Sequence, residues 1–295
     1  MPEAQILDGK AAAAALRAKL ADQTAKLVRD HELTPGIAMV LVGDDPASRI
    51  YVRNKTRQAN EVGFHVRDTL LPEDTGEMEL LEQVAALNAD PAIHGFLVQL
   101  PLPPQIAPER VVDAIDPAKD ADGYHVMNAG LLAMGRAGVV PATPLGCMHL
   151  IHQARDDLVG LEAVVIGRSN TVGKPLKQLL LREHCTVTLA HSRTRNLAEV
   201  ARRADILVAA VGRAELVRGD WIKPGATVID VGINRIDDPA GGKPKLTGDV
   251  AFAEAVQVAS AISPVPGGVG PMTIAYLLQN TLVLACQHAG VPVPG

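Results

Sequence analysis

Apolar runs and amphipathic stretches alternate from the start of the chain, and the period of each predicts its structure. Residues 10–30 carry helical spacing, with an alanine run at 11–15 that favours the helix. GIAMVLVG (36–43) follows, a β-branched strand bounded by glycines. Asp45 and Pro46 then supply an N-cap and a first-turn proline for a helix to about Val62, with Gly63 as its stop. A strand near 64–70, a helix near 77–89, the strand HGFLVQL (94–100) and a helix near 107–115 continue the alternation. The rhythm is one of hydrophobic runs rather than alternation. That predicts a mainly parallel sheet covered on both faces.

KDADGYHVMNAGLLAMGRAGVVPATP (119–144) breaks the rhythm and marks a border. A helix from about 145 to 156 leads to a second series of strands: AVVIG (163–167), TVTLA (186–190), ADILVAAVG (204–212) and ATVIDVG (226–232). An apolar segment near 258–262 runs into SPVPGGVGPMT, and a last helix over roughly 272–289 is expected to return to the first domain. The fold expected is α/β with two domains. Residues 1–140, completed by 272–295, form an N-terminal substrate and catalytic domain, and 141–271 form a Rossmann-like dinucleotide-binding domain.

Composition narrows the partners. The chain has 295 residues, 47% hydrophobic and only 2% aromatic, so its core is built of Ala, Val, Leu and Ile. A net charge of −5 without a long basic run argues against nucleic acid or an anionic membrane as partner. The N-terminal stretch lacks the pattern of a signal peptide, and no run reaches the ~18 apolar residues of a spanning helix. Cys147, Cys185 and Cys286 are odd in number, far apart and in no metal-ligand spacing. Reduced thiols, no metal and a cytoplasmic location are the expectation.

AVVIGRSNTVGKPLKQLL (163–180) reads as strand, tight turn and helix. It departs from G-x-G-x-x-G: Ser169 stands at the second glycine and Gly173 is the late one. Gly167 permits the turn, the small Ser169 lets a phosphate approach backbone N–H groups, and Gly173 lets helix and strand pack closely. A plain βα turn would look similar, but the parallel strands that follow favour a nucleotide. At the end of the next strand an NAD-binding fold usually places an acid. This chain has His191-Ser192-Arg193-Thr194, and Arg168 lies in the loop itself. Arginines and a hydroxyl suit a 2′-phosphate, so NADP is the expected cofactor.

SRIYVRNK (48–55) puts Ser48, Tyr51 and Lys55 on one helix face. Tyr-x-x-x-Lys is also the catalytic spacing of short-chain dehydrogenases, where it follows the nucleotide glycines in one domain. Here it precedes them by more than a hundred residues, which places the lysine in the other domain. Gln99 ends an apolar strand, where open α/β sheets present ligands, and Asp122 sits in KDADG. A strand cap and an Asx-turn explain these two equally well.

Together SRIYVRNK, GFLVQLPLP (95–103), KDADGYH (119–125), PATPLGC (141–147), GRSNTVGKP (167–175), DVGIN (230–234), TGDV (247–250) and SPVPGGVGPMT (263–273) resemble the bifunctional methylenetetrahydrofolate dehydrogenase/cyclohydrolase family. The motifs keep the family's order over nearly the whole chain. Arg57 stands where a second lysine is common, and Ser263 where a threonine is. The resemblance implies NADP-dependent oxidation of 5,10-methylenetetrahydrofolate, then hydrolysis to 10-formyltetrahydrofolate, with a homodimer joined through the cofactor domain. It implies Lys55 as general acid/base with Gln99 as its partner, and Tyr51 and Asp122 beside them. Ser48, Val98, Leu100, Pro101, Pro264, Gly267 and Gly268 would also meet the folate. Gly167, Arg168, Ser169, Val172, Gly173, Ser192, Arg193, Gly212, Gly232, Ile233 and Thr143 would meet the cofactor. Two other readings fit the two-domain plan: an oxidoreductase like shikimate dehydrogenase, and a nucleotide sensor without catalysis.

Overall fold

The protein is described by a computed structural model covering residues 3–236 and 245–295. In chain order its elements are β1 (Gln5–Ile6), α1 (Gly9–His31), β2 (Gly36–Val42), α2 (Pro46–Glu61), β3 (His65–Leu71), α3 (Glu77–Ala89), β4 (Gly95–Val98), α4 (Pro108–Ala114), α5 (Val126–Ala133) and α6 (Ala142–Ala154). Then follow β5 (Glu162–Ile166), α7 (Gly173–Arg182), β6 (Thr186–Ala190), α8 (Leu197–Ala201), β7 (Ile206–Ala209), a 3-10 turn (Gly219–Trp221), β8 (Thr227–Asp230), β9 (Asn234–Ile236), β10 (Lys245–Thr247), α9 (Phe252–Ala255), β11 (Ala261–Ile262) and α10 (Val269–Ala289). The chain divides into two compact units. One is Ala14–Ala142 with Ile274–Gly295, the other Met1–Ala13 with Thr143–Thr273.

The first unit is built on the parallel sheet β3-β2-β4. Side chains alternate across a strand, and β2 shows why every one of its residues is apolar. Ile37, Met39 and Leu41 pack with Leu20 and Leu27 of α1 and Leu277, Leu278 and Leu282 of α10. Ala38, Val40 and Val42 pack on the opposite face with Leu80, Val84 and Leu87 of α3 and Val111 of α4. The expected two-sided burial is present at β2 and β4, while the edge strand β3, with His65, Arg67, Asp68 and Thr69, holds no buried residue. The last helix does complete this unit. By length and composition α10 could cross a membrane, yet 61% of its most apolar stretch is buried inside the protein.

The second unit carries a six-stranded parallel sheet in the order β1-β11-β8-β7-β5-β6. Leaving β5, the chain goes first to β6 on one side, then to β7 and β8 on the other. The C-terminal end of β5 is therefore the switch point, where such sheets open a crevice. Gln5 and Ile6 pair with Ala261 and Ile262, so the first residues of the chain join this unit. A two-residue strand leaves no periodicity to read. Nor did the sequence reveal α5, which lies in the stretch expected to be a border. His125 caps it, with the Met127 N–H donating to Nδ1 at 3.0 Å.

His94 supplies a test of the first unit. Its buried ring accepts the Gly36 N–H on Nδ1 at 2.9 Å and faces His288 at 5.9 Å between ring centroids. Burial, then His288, Lys119 and His65, hold its pKa below the usual 6.5. The unfolded chain therefore binds the proton first, and this contribution is present above pH 6.5 and lost as pH falls through the lowered value. His94→Asn, which keeps an acceptor near the Nδ1 position, is expected to flatten the fall in melting temperature between about pH 7 and about pH 5. Equal slopes for variant and wild type would assign the acid sensitivity to other groups.

Candidate active site

α2 starts where Asp45 accepts the Ser48 N–H at 2.8 Å, with Pro46 in its first turn. That fixes the phase of the helix and turns Ser48, Val52, Lys55 and Ala59 inward. Lys55 is only 3% exposed, so it is not a solvated surface lysine. Its Nζ donates to Gln99 Oε1 at 3.1 Å and stands 4.8 Å from the centroid of the Tyr51 ring. Gln99 follows the last residue of β4, and its Nε2 donates to the Leu100 carbonyl at 2.6 Å. Only an N–H can satisfy that carbonyl, so the amide oxygen is the atom turned to the lysine. Val98 is buried, Leu100 half-buried and Pro101 exposed, with a cis bond between the last two.

Taking an ammonium out of water costs several kcal/mol, while a hydrogen bond to a neutral group returns only about 1 kcal/mol. Burial accordingly lowers the Lys55 pKa, with Asp122 pulling the other way. The same burial raises the Asp122 carboxyl; Lys55 lowers it and Asp120 raises it further. The site thus favours a neutral amine more than water does.

Asp120, not Asp122, closes the turn. Its carboxylate accepts the N–H groups of Gly123 at 2.9 Å and His125 at 2.8 Å, and Asn128 Nδ2 at 2.9 Å. From α10, Asn280 Nδ2 donates to the carbonyls of Ala121 at 3.0 Å and Val140 at 2.9 Å. Both sides of Asp122 are therefore pinned, and the Asx-turn explanation passes to its neighbour. Tyr124 stands in the same field: burial, then Asp122, Tyr51 and Asp120, push its phenol well above the usual value. Asp120 lay within a quoted motif with no sign of its role. Asn280 gave no signal at all, since its partners lie 140 and 159 residues away.

The expected cofactor residues other than Thr143, which lies at the start of α6, follow the C-terminal ends of strands in the second unit. Gly167 follows β5 with φ +129°, and a Cβ there would meet the Ala210 carbonyl oxygen at 2.1 Å. A Cβ on Gly173 would lie 2.0 Å from the Gly167 oxygen, so loop and helix touch backbone to backbone. Ser169 Oγ accepts the N–H groups of Val172 at 3.1 Å and Gly173 at 3.4 Å, so its hydroxyl caps α7. Arg168 is exposed, and Val172 is half-buried. After β6 the His191 N–H donates to Thr194 Oγ1 at 2.9 Å and the Arg193 N–H to His191 Nδ1 at 3.2 Å. This closed turn leaves Ser192 and Arg193 exposed.

Gly212 and Gly232 follow β7 and β8, and Ile233 is 60% exposed. Thr143 Oγ1 lies 3.0 Å from Thr273 Oγ1. Pro264, Gly267 and Gly268 lie in this unit too, where the Lys10 N–H donates to the Gly267 carbonyl at 3.1 Å. Among the described residues, no group of His, Cys, Asp or Glu is placed to hold a metal.

Comparison with known proteins agrees with this arrangement. Residues 7–122 match the catalytic domain and residues 141–289 the NAD(P)-binding domain of the tetrahydrofolate dehydrogenase/cyclohydrolase models. The chain is 58% identical to the bifunctional protein FolD of Parvibaculum lavamentivorans, covering 99% of this chain and 98% of that one. It is 39% identical to the methylenetetrahydrofolate dehydrogenase-cyclohydrolase of Trypanosoma brucei solved with NADP and an inhibitor, with a TM-score of 0.94 over 98% of this chain and 99% of that one. Shikimate dehydrogenase of Aquifex aeolicus, at 14% identity and a TM-score of 0.51 over 90% and 95% of the two chains, shares the fold alone. A buried lysine on an amide in one unit, a nucleotide loop in the other and matches across both place the chain in the tetrahydrofolate dehydrogenase/cyclohydrolase family.

Proposed function

We infer that this chain oxidises 5,10-methylenetetrahydrofolate to 5,10-methenyltetrahydrofolate with NADP and hydrolyses the product to 10-formyltetrahydrofolate. The observation that carries the reading is the Lys55–Gln99 contact: a buried amine held by a neutral acceptor. A sensor has no use for such a group. A glutamate in place of Gln99 would stabilise the inert ammonium.

Gly167 and Gly173 fit a turn that binds a dinucleotide, because a Cβ at either would collide with a backbone carbonyl and prevent the close packing of strand, turn and helix. Arg168, Ser169, Val172, Ser192, Arg193, Gly212, Gly232, Ile233 and Thr143 are the other residues that would hold it. NADP, when bound, supplies the hydride acceptor. The two nitrogens flanking the substrate's methylene carbon drive its oxidation, so this step asks the protein for alignment rather than for an acid or base. Tyr51, Asp122 and the backbone of Pro264, Gly267 and Gly268 supply that alignment on the folate side, with Ser48, Val98, Leu100 and Pro101. Asp122 suits the pterin edge, where an N–H lies beside an amino group and a carboxylate accepts both.

Hydrolysis needs a base and then an acid. The attacking water must lose a proton, and the ring nitrogen that departs must gain one. The Lys55 amine takes the first and returns the second, and Gln99 keeps its lone pair aimed without adding charge. Tyr51, one turn away, presents its ring to the amine. On the same reading the protein works in the cytoplasm as a homodimer joined through its cofactor domain, with no nucleic-acid or membrane partner. Its formyl product would serve purine synthesis. The family resemblance and the net charge of −5 support this.

Lys55→Met is expected to lower conversion of methenyl- to formyltetrahydrofolate by at least about a hundredfold while some hydride transfer remains. Cyclohydrolase turnover near wild type would contradict the assignment. Gln99→Glu raises the Lys55 pKa, so the rise of cyclohydrolase rate with pH should move to higher pH; an unmoved profile would deny the pairing. Arg193→Ala should raise the KM for NADP far more than that for NAD, and equal effects would remove the 2′-phosphate contact.

A further inference from the structure

DVGIN and TGDV carry two acids that the chemistry above leaves without a role. Asp249 is fully buried, and its carboxylate sits at the ends of β7 and β8. Oδ2 accepts the N–H groups of Val211 at 2.6 Å and Gly212 at 3.0 Å. Oδ1 accepts the Arg213 N–H at 2.8 Å and Asn234 Nδ2 at 2.9 Å. One side chain therefore fixes the loop after β7 and ties it to the start of β9.

Asp230, the last residue of β8 and 3% exposed, holds Asp249 in turn. Its carboxylate accepts the N–H groups of Gly232 and Asp249 on Oδ1 and Val250 on Oδ2, each at 2.9 Å. The two glycines of these motifs are the seats of the two acids. A Cβ on Gly248 would lie 1.8 Å from Asp230 Oδ2, and one on Gly232 would lie 2.3 Å from Asp249 Cγ. Burial pushes the Asp230 carboxyl up to about 6, against N–H groups of Val250 and Asp249 that hold it down. Each carboxylate thus rests on a glycine of the other's motif.

The place of this clasp in the sheet decides what it can do. Strand order β8-β7-β5-β6 puts the loops at 211–213 and 231–234 on the opposite side of the Gly167 turn from Ser192 and Arg193. A dinucleotide whose pyrophosphate lies at the β5 turn and whose 2′-phosphate lies after β6 extends its other half over β7 and β8. We propose that Asp249 is a positioning residue for the dehydrogenase reaction, shaping through the loops at 211–213 and 234 the surface that receives the nicotinamide half of the cofactor. The proposal rests on the cofactor reading given above.

Asp249→Asn keeps the shape but leaves a single acceptor oxygen, so either the Val211–Gly212 pair or the Arg213–Asn234 pair loses its partner. Calorimetry on protein without added cofactor should show NADP affinity reduced about tenfold or more, the loss expected of an orphaned buried donor. Affinity for adenosine 2′,5′-bisphosphate, which spans the β6 side and stops at the β5 turn, should be unchanged, as should cyclohydrolase turnover in the other unit. Asn234→Ala should give a smaller loss in the same direction, and it carries the test if the first variant fails to fold. Undiminished NADP affinity in either folded variant would overturn the proposal, and so would an equal loss for the bisphosphate, which marks general damage to the unit. Wild-type protein that bound no NADP would overturn it together with the cofactor reading.

Discussion

The site turns on one contact, the Lys55 amine held against the amide oxygen of Gln99. A lysine serves as a base only when it gives up its proton near working pH, and burial is the force that lowers its pKa. A carboxylate as direct partner would cancel that effect. The amide gives direction without charge, and Asp122, the acid among the described residues whose field reaches the amine, is itself raised by burial. Everything nearby serves to keep these groups in place: the Asp45 cap that sets the phase of α2, the end of β4 that delivers Gln99, and the Asp120 turn that delivers Asp122.

The two units use the same economy of means. In each, a buried carboxylate spends its acceptors on backbone N–H groups of a loop at the C-terminal end of a parallel sheet. Asp120 does this beside the lysine; Asp230 and Asp249 do it after β7 and β8. Loops that carry function gain rigidity in this way without apolar bulk that would fill the site.

Much of the fold was legible because most of its strands are unbroken apolar runs and its long helices are long enough to show a period. α2 was legible to its cap, since Asp45-Pro46 is a local signal, and the helix starts at Pro46. β1 and β9 were not, being two and three residues with no apolar run, and α8 was not, being little more than one helical turn. The acid–amide–lysine set was legible only through its motifs. Spacing alone left Gln99 and Asp122 with ordinary explanations, and it is burial and distance that part Asp122 from the turn made by Asp120. Asn280 and the Asp230–Asp249 clasp depend on pairings across many residues, and a single sequence does not show which distant atoms meet.

The central claim is that the fold lowers the affinity of Lys55 for its proton. Lysines labelled with carbon-13 at Cε report that directly by NMR titration, with Lys55→Arg to assign the resonance. The account predicts that the Lys55 signal titrates below the ordinary lysine value of 10.5 and apart from the other lysines. A Lys55 signal that moved with the surface lysines would contradict it.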